Sequence, residues 1–223
     1  LNNKQQHKKL IHVKNKLTYL LAGSALAASY ASAEIVLTDD LSAYGYIDAS
    51  YASANDVSDL NGSVAEFELG FAFSPVESPW SAVAEISYKN GGAFGNEADF
   101  ETVTITYAYS DELSFTVGNI LSYQGFETFD ATGLYQFSAQ GTGLFQNGYV
   151  YSAGYAYGAS ADYATDTFGA GLWVGETDNE LSLELFLQYT GVEGLTATAV
   201  YADDPGYETY NLWASYEIDA FTF

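Results

Sequence analysis

The sequence contains no cysteine, no methionine and no arginine. Its two histidines, His7 and His12, and five of its six lysines, Lys4, Lys8, Lys9, Lys14 and Lys16, lie in the first 16 positions, and Lys89 is the only cationic side chain after them. Each shortage removes a chemistry. With no imidazole or thiolate beyond residue 33, Ser-His-Asp and Cys-His nucleophile systems and the common zinc sites are excluded. Phosphate backbones are held by clustered Lys and Arg, so nucleic acid is excluded as a partner. Exported soluble domains of this size often carry disulfides, and this chain can form none. After the first 33 residues no stretch is long and apolar enough for a transmembrane helix. Carboxylates, hydroxyls and amides are left to carry whatever the chain does.

What is present begins with an export signal. A basic head is followed by an apolar stretch from Leu17 to Ala28 and then by Tyr30-Ala31-Ser32-Ala33, the order that a cleavable secretory signal requires. The apolar run falls short of the ~20 residues of a helical span, which disfavours an anchor. Cleavage is expected after Ala33, giving a signal peptide over 1–33 and one domain over 34–223. All 29 acids fall in that domain against one lysine, a formal charge of −28.

Within the domain, apolar residues recur with a period of two, the rhythm of a strand with two unlike faces. Phe67, Leu69, Phe71 and Phe73 alternate with Glu66, Glu68, Gly70 and Ala72. Val103, Ile105, Tyr107 and Tyr109 alternate with Thr102, Thr104, Thr106 and Ala108. Leu181, Leu183, Leu185, Leu187 and Tyr189 alternate with Ser182, Glu184, Phe186 and Gln188, where Phe186 is the one aromatic on the polar side. The pattern predicts strands over 41–53, 63–74, 80–90, 100–110, 113–122, 148–164, 167–175, 181–190, 195–202 and 208–217, with an eleventh starting at Phe221. Strands of about 9–11 residues match a tilted crossing of a bilayer and exceed the 5–6 usual in soluble sheets.

The connections fall into two classes. Those over 54–62, 91–99 and 123–147 are long, whereas Pro75 to Pro79, Asp111-Glu112 and Thr165-Asp166 are short. Glu176–Glu180 and Gly191–Gly194, then Asp203–Tyr207 and Ile218–Ala220, differ less. Short turns at one rim and long loops at the other are a property of outer-membrane barrels. Trp80, Tyr88, Tyr107, Tyr109, Tyr189 and Tyr201 fall near strand ends on the apolar face, where the headgroup layer favours amphipathic rings. The 20 tyrosines also suit strands in general.

Three segments resemble the OmpL-like family of β-barrel porins. Tyr44-Gly-Tyr-Ile-Asp-Ala-Ser-Tyr51 is similar to its aromatic-Gly opening segment. Val117-Gly-Asn-Ile-Leu-Ser-Tyr-Gln-Gly-Phe-Glu-Thr128 is similar to its strand ending in a Gly-aromatic-Glu loop, and Tyr210-Asn-Leu-Trp-Ala-Ser-Tyr216 to its Leu-Trp-Ala-Ser-Tyr strand. The resemblance implies a porin-like barrel of more strands than are counted here, and no catalytic residues. Two departures stand out. The pore arginines of many porins are absent, which argues against an anion-selective role. The chain also starts without Met and stops at Phe223 within a new strand, so a fragment truncated at its C-terminal end is expected, because antiparallel barrels of this class need an even strand number.

The expectation is therefore an all-β, antiparallel transmembrane β-barrel of the outer-membrane porin type, with about 10–11 strands present, in the bacterial outer membrane. If apolar faces meet lipid, then Asp48, Glu66, Glu68, Glu85, Lys89 and Glu184 line the interior. Carboxylates in a water-filled pore concentrate cations and repel anions. General surface charge is the plainer explanation of the same acids. The connection after Tyr123 is long and aromatic, so Glu127 and Asp130 are candidates for a constriction loop, with an outer lid or a subunit contact as equal alternatives. Asp39-Asp40 and Asp203-Asp204 lack the spacing of a calcium loop and read as solvated charge. Paired carboxylates could serve a glycosidase, but among 29 acids some pair always meets that separation. The expected function is passive diffusion of small hydrophilic solutes or cations through a monomer or trimer, with no enzyme activity and no cofactor. The alternatives are a non-conducting structural or adhesive barrel, and a secreted soluble β-sandwich that binds carbohydrate.

Overall fold

The computed structural model describes residues 34–52, 61–90, 96–124, 154–218 and 221–222. Twelve strands form one sheet, paired in chain order, and no helix occurs among the described residues. They are β1 (Ile35–Val36), β2 (Leu41–Ala52), β3 (Asn61–Phe73), β4 (Trp80–Asn90), β5 (Asn96–Ala108) and β6 (Leu113–Leu121). Then follow β7 (Tyr155–Ala164), β8 (Phe168–Thr177), β9 (Glu180–Tyr189), β10 (Leu195–Asp204), β11 (Tyr207–Ile218) and β12 (Phe221–Thr222). Every neighbouring pair is antiparallel.

β-Branched and aromatic residues at alternate positions favour this pleated surface, and all three prolines, Pro75, Pro79 and Pro205, fall between strands, where their missing N–H costs no ladder bond. Asp178 (φ 52°) and Asn179 (φ 63°) form the connection from β8 to β9, and the two successive left-handed residues match the twist of a two-residue hairpin. Pro205 and Gly206 (φ 87°) connect β10 to β11. Pro fixes the first position of such a turn, and glycine accepts the positive φ of the second.

These turns correct two predicted connections. Glu176–Glu180 and Asp203–Tyr207 shrink to two residues each, because the ladders run on to Thr177↔Glu180 and Asp204↔Tyr207. The long-to-short contrast between the rims is thus weaker than predicted, since β4 and β5 are joined by five residues, 91–95, and β3 and β4 by six, 74–79. β5 also starts at Asn96 instead of 100, and β1 is additional. Residues 1–33, where a signal peptide is expected, and 148–153 of the seventh predicted strand lie outside the described residues.

Among the described residues the sheet is open: no strand joins β2 to β11 or β1 to β12. The all-β, antiparallel architecture read from the sequence is present, and among the described residues the sheet does not close on itself. The two terminal strands offer two residues each, covering only Ser42–Ala43 of β2 and Glu217–Ile218 of β11, which is too short a ladder to form a seam.

Burial on this sheet is inverted. Glu66 is 0% exposed, Ser182 1% and Ser215 3%, whereas Leu187 is 52%, Ile105 51% and Leu212 76% exposed. Buried apolar side chains among the described residues are limited to Trp173, Phe186, Val200 and Ala202. A domain folded in water does the reverse. The apolar rows of β3, β5, β8, β9 and β11 share the outer face of a single sheet and do not meet across two layers.

Candidate functional site: the polar face

The register sets the polar face. Asp48 of β2 stands opposite Glu66 of β3, which stands opposite Lys89 of β4. Tyr46, Glu68 and Ser87 form the next row, and Tyr44, Gly70 and Glu85 the one after. All six residues assigned to the interior, Asp48, Glu66, Glu68, Glu85, Lys89 and Glu184, take positions on this face, although Lys89 is placed by its backbone alone. Bulges lie between Asp48 and Ala49 and between Ala84 and Ile86. A bulge re-aims the side chains beside it, and each of these two flanks a candidate acid.

Exposure separates the candidates. Asp48 and Glu85 are half-buried, while Glu66, Glu68 and Glu184 are at most 5% exposed. Those last three are packed into the wall and do not stand in open water. The Tyr44 hydroxyl donates to Glu85 Oε1, and Thr102 also hydrogen-bonds Glu85. Tyr44 starts on β2 and Glu85 sits on β4, so the ring must cross β3. It crosses at Gly70, where a Cβ would come within 2.3 Å of the tyrosine ring. Glycine is the residue that leaves that passage open.

A second cluster covers β6 to β11. Glu184 accepts the Ser122 hydroxyl at 2.6 Å, the Tyr123 backbone N–H at 2.7 Å and the Gln124 amide at 3.3 Å. The Ser122 N–H donates to the Gly154 carbonyl at 2.9 Å, which closes the base of the connection between β6 and β7. The Tyr123 hydroxyl donates to Asp162 Oδ1, and Ser160 donates to Asp162 Oδ2 at 2.6 Å. Burial first, and the charge of Asp162 second, push the Tyr123 phenol well above its ordinary range, so it remains a donor. Its ring stacks on Phe186 with centroids 5.2 Å apart and planes 19° apart. At Gly171 a Cβ would come within 2.8 Å of both Asp162 Oδ1 and the Tyr123 ring.

The loop after β6 thus starts by turning onto the polar face. Glu127 and Asp130, the constriction-loop candidates, lie outside the described residues. Glu184 is placed on the expected face, but it holds Ser122–Gln124.

Beside that anchor lies a cavity of about 180 Å³ whose walls include Tyr155, Trp173, Thr177, Glu184, Asp204 and Tyr207. Asp204 Oδ1 accepts from Thr177 at 3.1 Å. The Trp173 ring forms the floor, lying over Gly158 and Gly175, where a Cβ would come within 2.6 and 2.2 Å of it. Sequence reasoning missed Tyr44, Tyr123, Asp162, Trp173 and Tyr207, and it read Asp204, which lines this cavity, as solvated charge. The visible signals were glycines on the polar face of β3 and β8 and the misplaced aromatic Phe186. No group of His, Cys, Asp and Glu able to hold a metal occurs among the described residues.

On the outer face aromatic rings gather near strand ends. Trp80 and Tyr107 pair at 4.8 Å near one end, and Tyr201 and Tyr210 at 5.1 Å near the other. Apolar residues such as Leu185 (45% exposed) and Leu172 (39%) lie between. Compared with known proteins, the chain matches no family model and no curated protein.

Proposed function

We propose that this chain is an outer-membrane β-barrel of the porin type, akin to the OmpL-like family it resembles, which passes small hydrophilic solutes and prefers cations. The observation that carries the reading is the inverted burial: exposed Leu, Ile, Val and Phe rows on one face, buried Glu, Ser, Thr and Asn on the other. Hydrocarbon is the environment in which the first face is stable and in which every strand must find its partners. Strands of 9–13 residues are long enough to cross it at a tilt, and aromatic pairs near both ends suit the headgroup layers. Half-buried Asp48 and Glu85, with no cation but Lys89 beyond residue 33, support cation preference.

The test is planar-bilayer recording on the purified full chain. Stepwise conductance with a cation-selective reversal potential under a salt gradient is expected. No steps would remove the pore, and anion preference would remove the role of the acids. Leu185→Arg on the outer face should weaken insertion by about 2–4 kcal/mol if that face meets lipid, whereas Gln188→Arg on the polar face should be tolerated.

One observation favours a second reading, a barrel that does not conduct. Glu66, Glu68 and Glu184 have almost no accessible surface, and Ser122–Gln124 lie across the wall. The same recordings separate the two readings.

A further inference from the structure

The cavity beside Glu184 combines features that the pore reading does not use. Two carboxylates, Glu184 and Asp204, share it with the rings of Tyr155, Trp173 and Tyr207. Lys89, on β4, is the only cationic side chain after residue 33, so none comes from the cavity's own strands. Tyr207 is 57% exposed and hydrogen-bonds Asp204, so a phenol face and a carboxylate meet at the mouth.

We propose that this cavity binds an organic ammonium ion. An anion is repelled by both acids. A metal ion needs more free oxygen ligands than remain here, because Glu184 already serves Ser122, Tyr123 and Gln124 and Asp204 serves Thr177. A cation that spreads its charge over carbon and hydrogen is held instead by aromatic faces and by carboxylates at one remove. The Trp173 ring lines the cavity beside Tyr155 and Tyr207, and choline, a small ion of this kind, is the apt probe.

The inference deepens the pore reading by naming the cation, and its test needs no conduction. Choline would be titrated into the purified full chain in a non-ionic maltoside detergent at low salt and followed by tryptophan fluorescence and calorimetry. Its uncharged isostere 3,3-dimethylbutan-1-ol, tetramethylammonium and glucose would be run beside it. Saturable choline binding that weakens as NaCl rises is expected, with tetramethylammonium competing for the same site and the isostere and glucose absent. Asp204→Asn should weaken choline about tenfold. Tyr207→Ala should weaken it by a similar factor while Tyr207→Phe keeps it, which separates the ring from the hydroxyl, and circular dichroism would check that each variant is folded. Equal binding of the isostere, salt-independent binding, preference for glucose or no saturation would each overturn the proposal. Conductance without choline binding would sink the cavity site alone, and choline binding without conductance would sink the pore alone.

Discussion

The wall β2–β5 and the wall β6–β11 occupy one face of one sheet, yet they use carboxylates in opposite ways. In the first, Asp48, Glu66, Glu68 and Glu85 lie on neighbouring strands, and the partners of Glu85, Tyr44 and Thr102, belong to the same wall. In the second, Glu184 takes three donors from a segment about sixty positions away in the chain. The first arrangement gathers negative potential, and the second converts a charge into an anchor. Both depend on one device, a tyrosine passing over a glycine to reach a carboxylate: Tyr44 over Gly70 to Glu85, and Tyr123 over Gly171 to Asp162. The number of acids on a face therefore says little about its charge at work. What matters is where in the chain their donors come from.

The comparison can be broken most sharply at Glu184. Leucine there leaves three donors without their acceptor, and the unfolding free energy in detergent should fall by about 3 kcal/mol. An unchanged value would mean that the second wall does not rely on its anchor. Gly171→Val and Gly70→Val should each cost about 2 kcal/mol by driving a branched side chain into a tyrosine ring. Unequal losses would show that the two crossings are not equivalent. Tyr44→Phe should cost about 1 kcal/mol, less than the anchor, because Thr102 still serves Glu85.

The smallest effect concerns alkaline pH. The folded state favours the neutral Tyr123 phenol, while the unfolded state releases its proton near the ordinary value of about 10. The folded chain thus holds more protons above that value, so stability is full below it and declines as pH rises past it. Tyr123→Phe should flatten part of that decline in denaturant titrations at successive pH values.

Much of the fold was legible because alternation is local. The Leu181–Tyr189 and Phe67–Phe73 rows place their side chains where the period demands, and the polar positions between them are buried together. The bulges at Asp48 and Glu85 were not legible, since one extra residue changes the period only against a partner strand. The turn at Asp178-Asn179 was read too long, because nothing local says that the ladder continues to Thr177 and Glu180. Phe186 broke the alternation, and the structure gives the reason: it is the platform for Tyr123. Glu184 could be assigned to a face from sequence, but its role could not, since its donors come from another part of the chain.

The two-residue turns bear on the order of events during folding. Asp178-Asn179 and Pro205-Gly206 close the shortest loops among the described strands, and short closures carry the least entropic cost. Hairpins β8–β9 and β10–β11 are thus expected to form early, with the Glu184 tie to Ser122, 62 positions away, forming late. Pulse-labelling of backbone amides during refolding should find β8–β11 protected before β6, and the opposite order would discard this sequence of events. A chain whose second half zips first presents its anchor ready made, and Ser122–Gln124 then have somewhere to land.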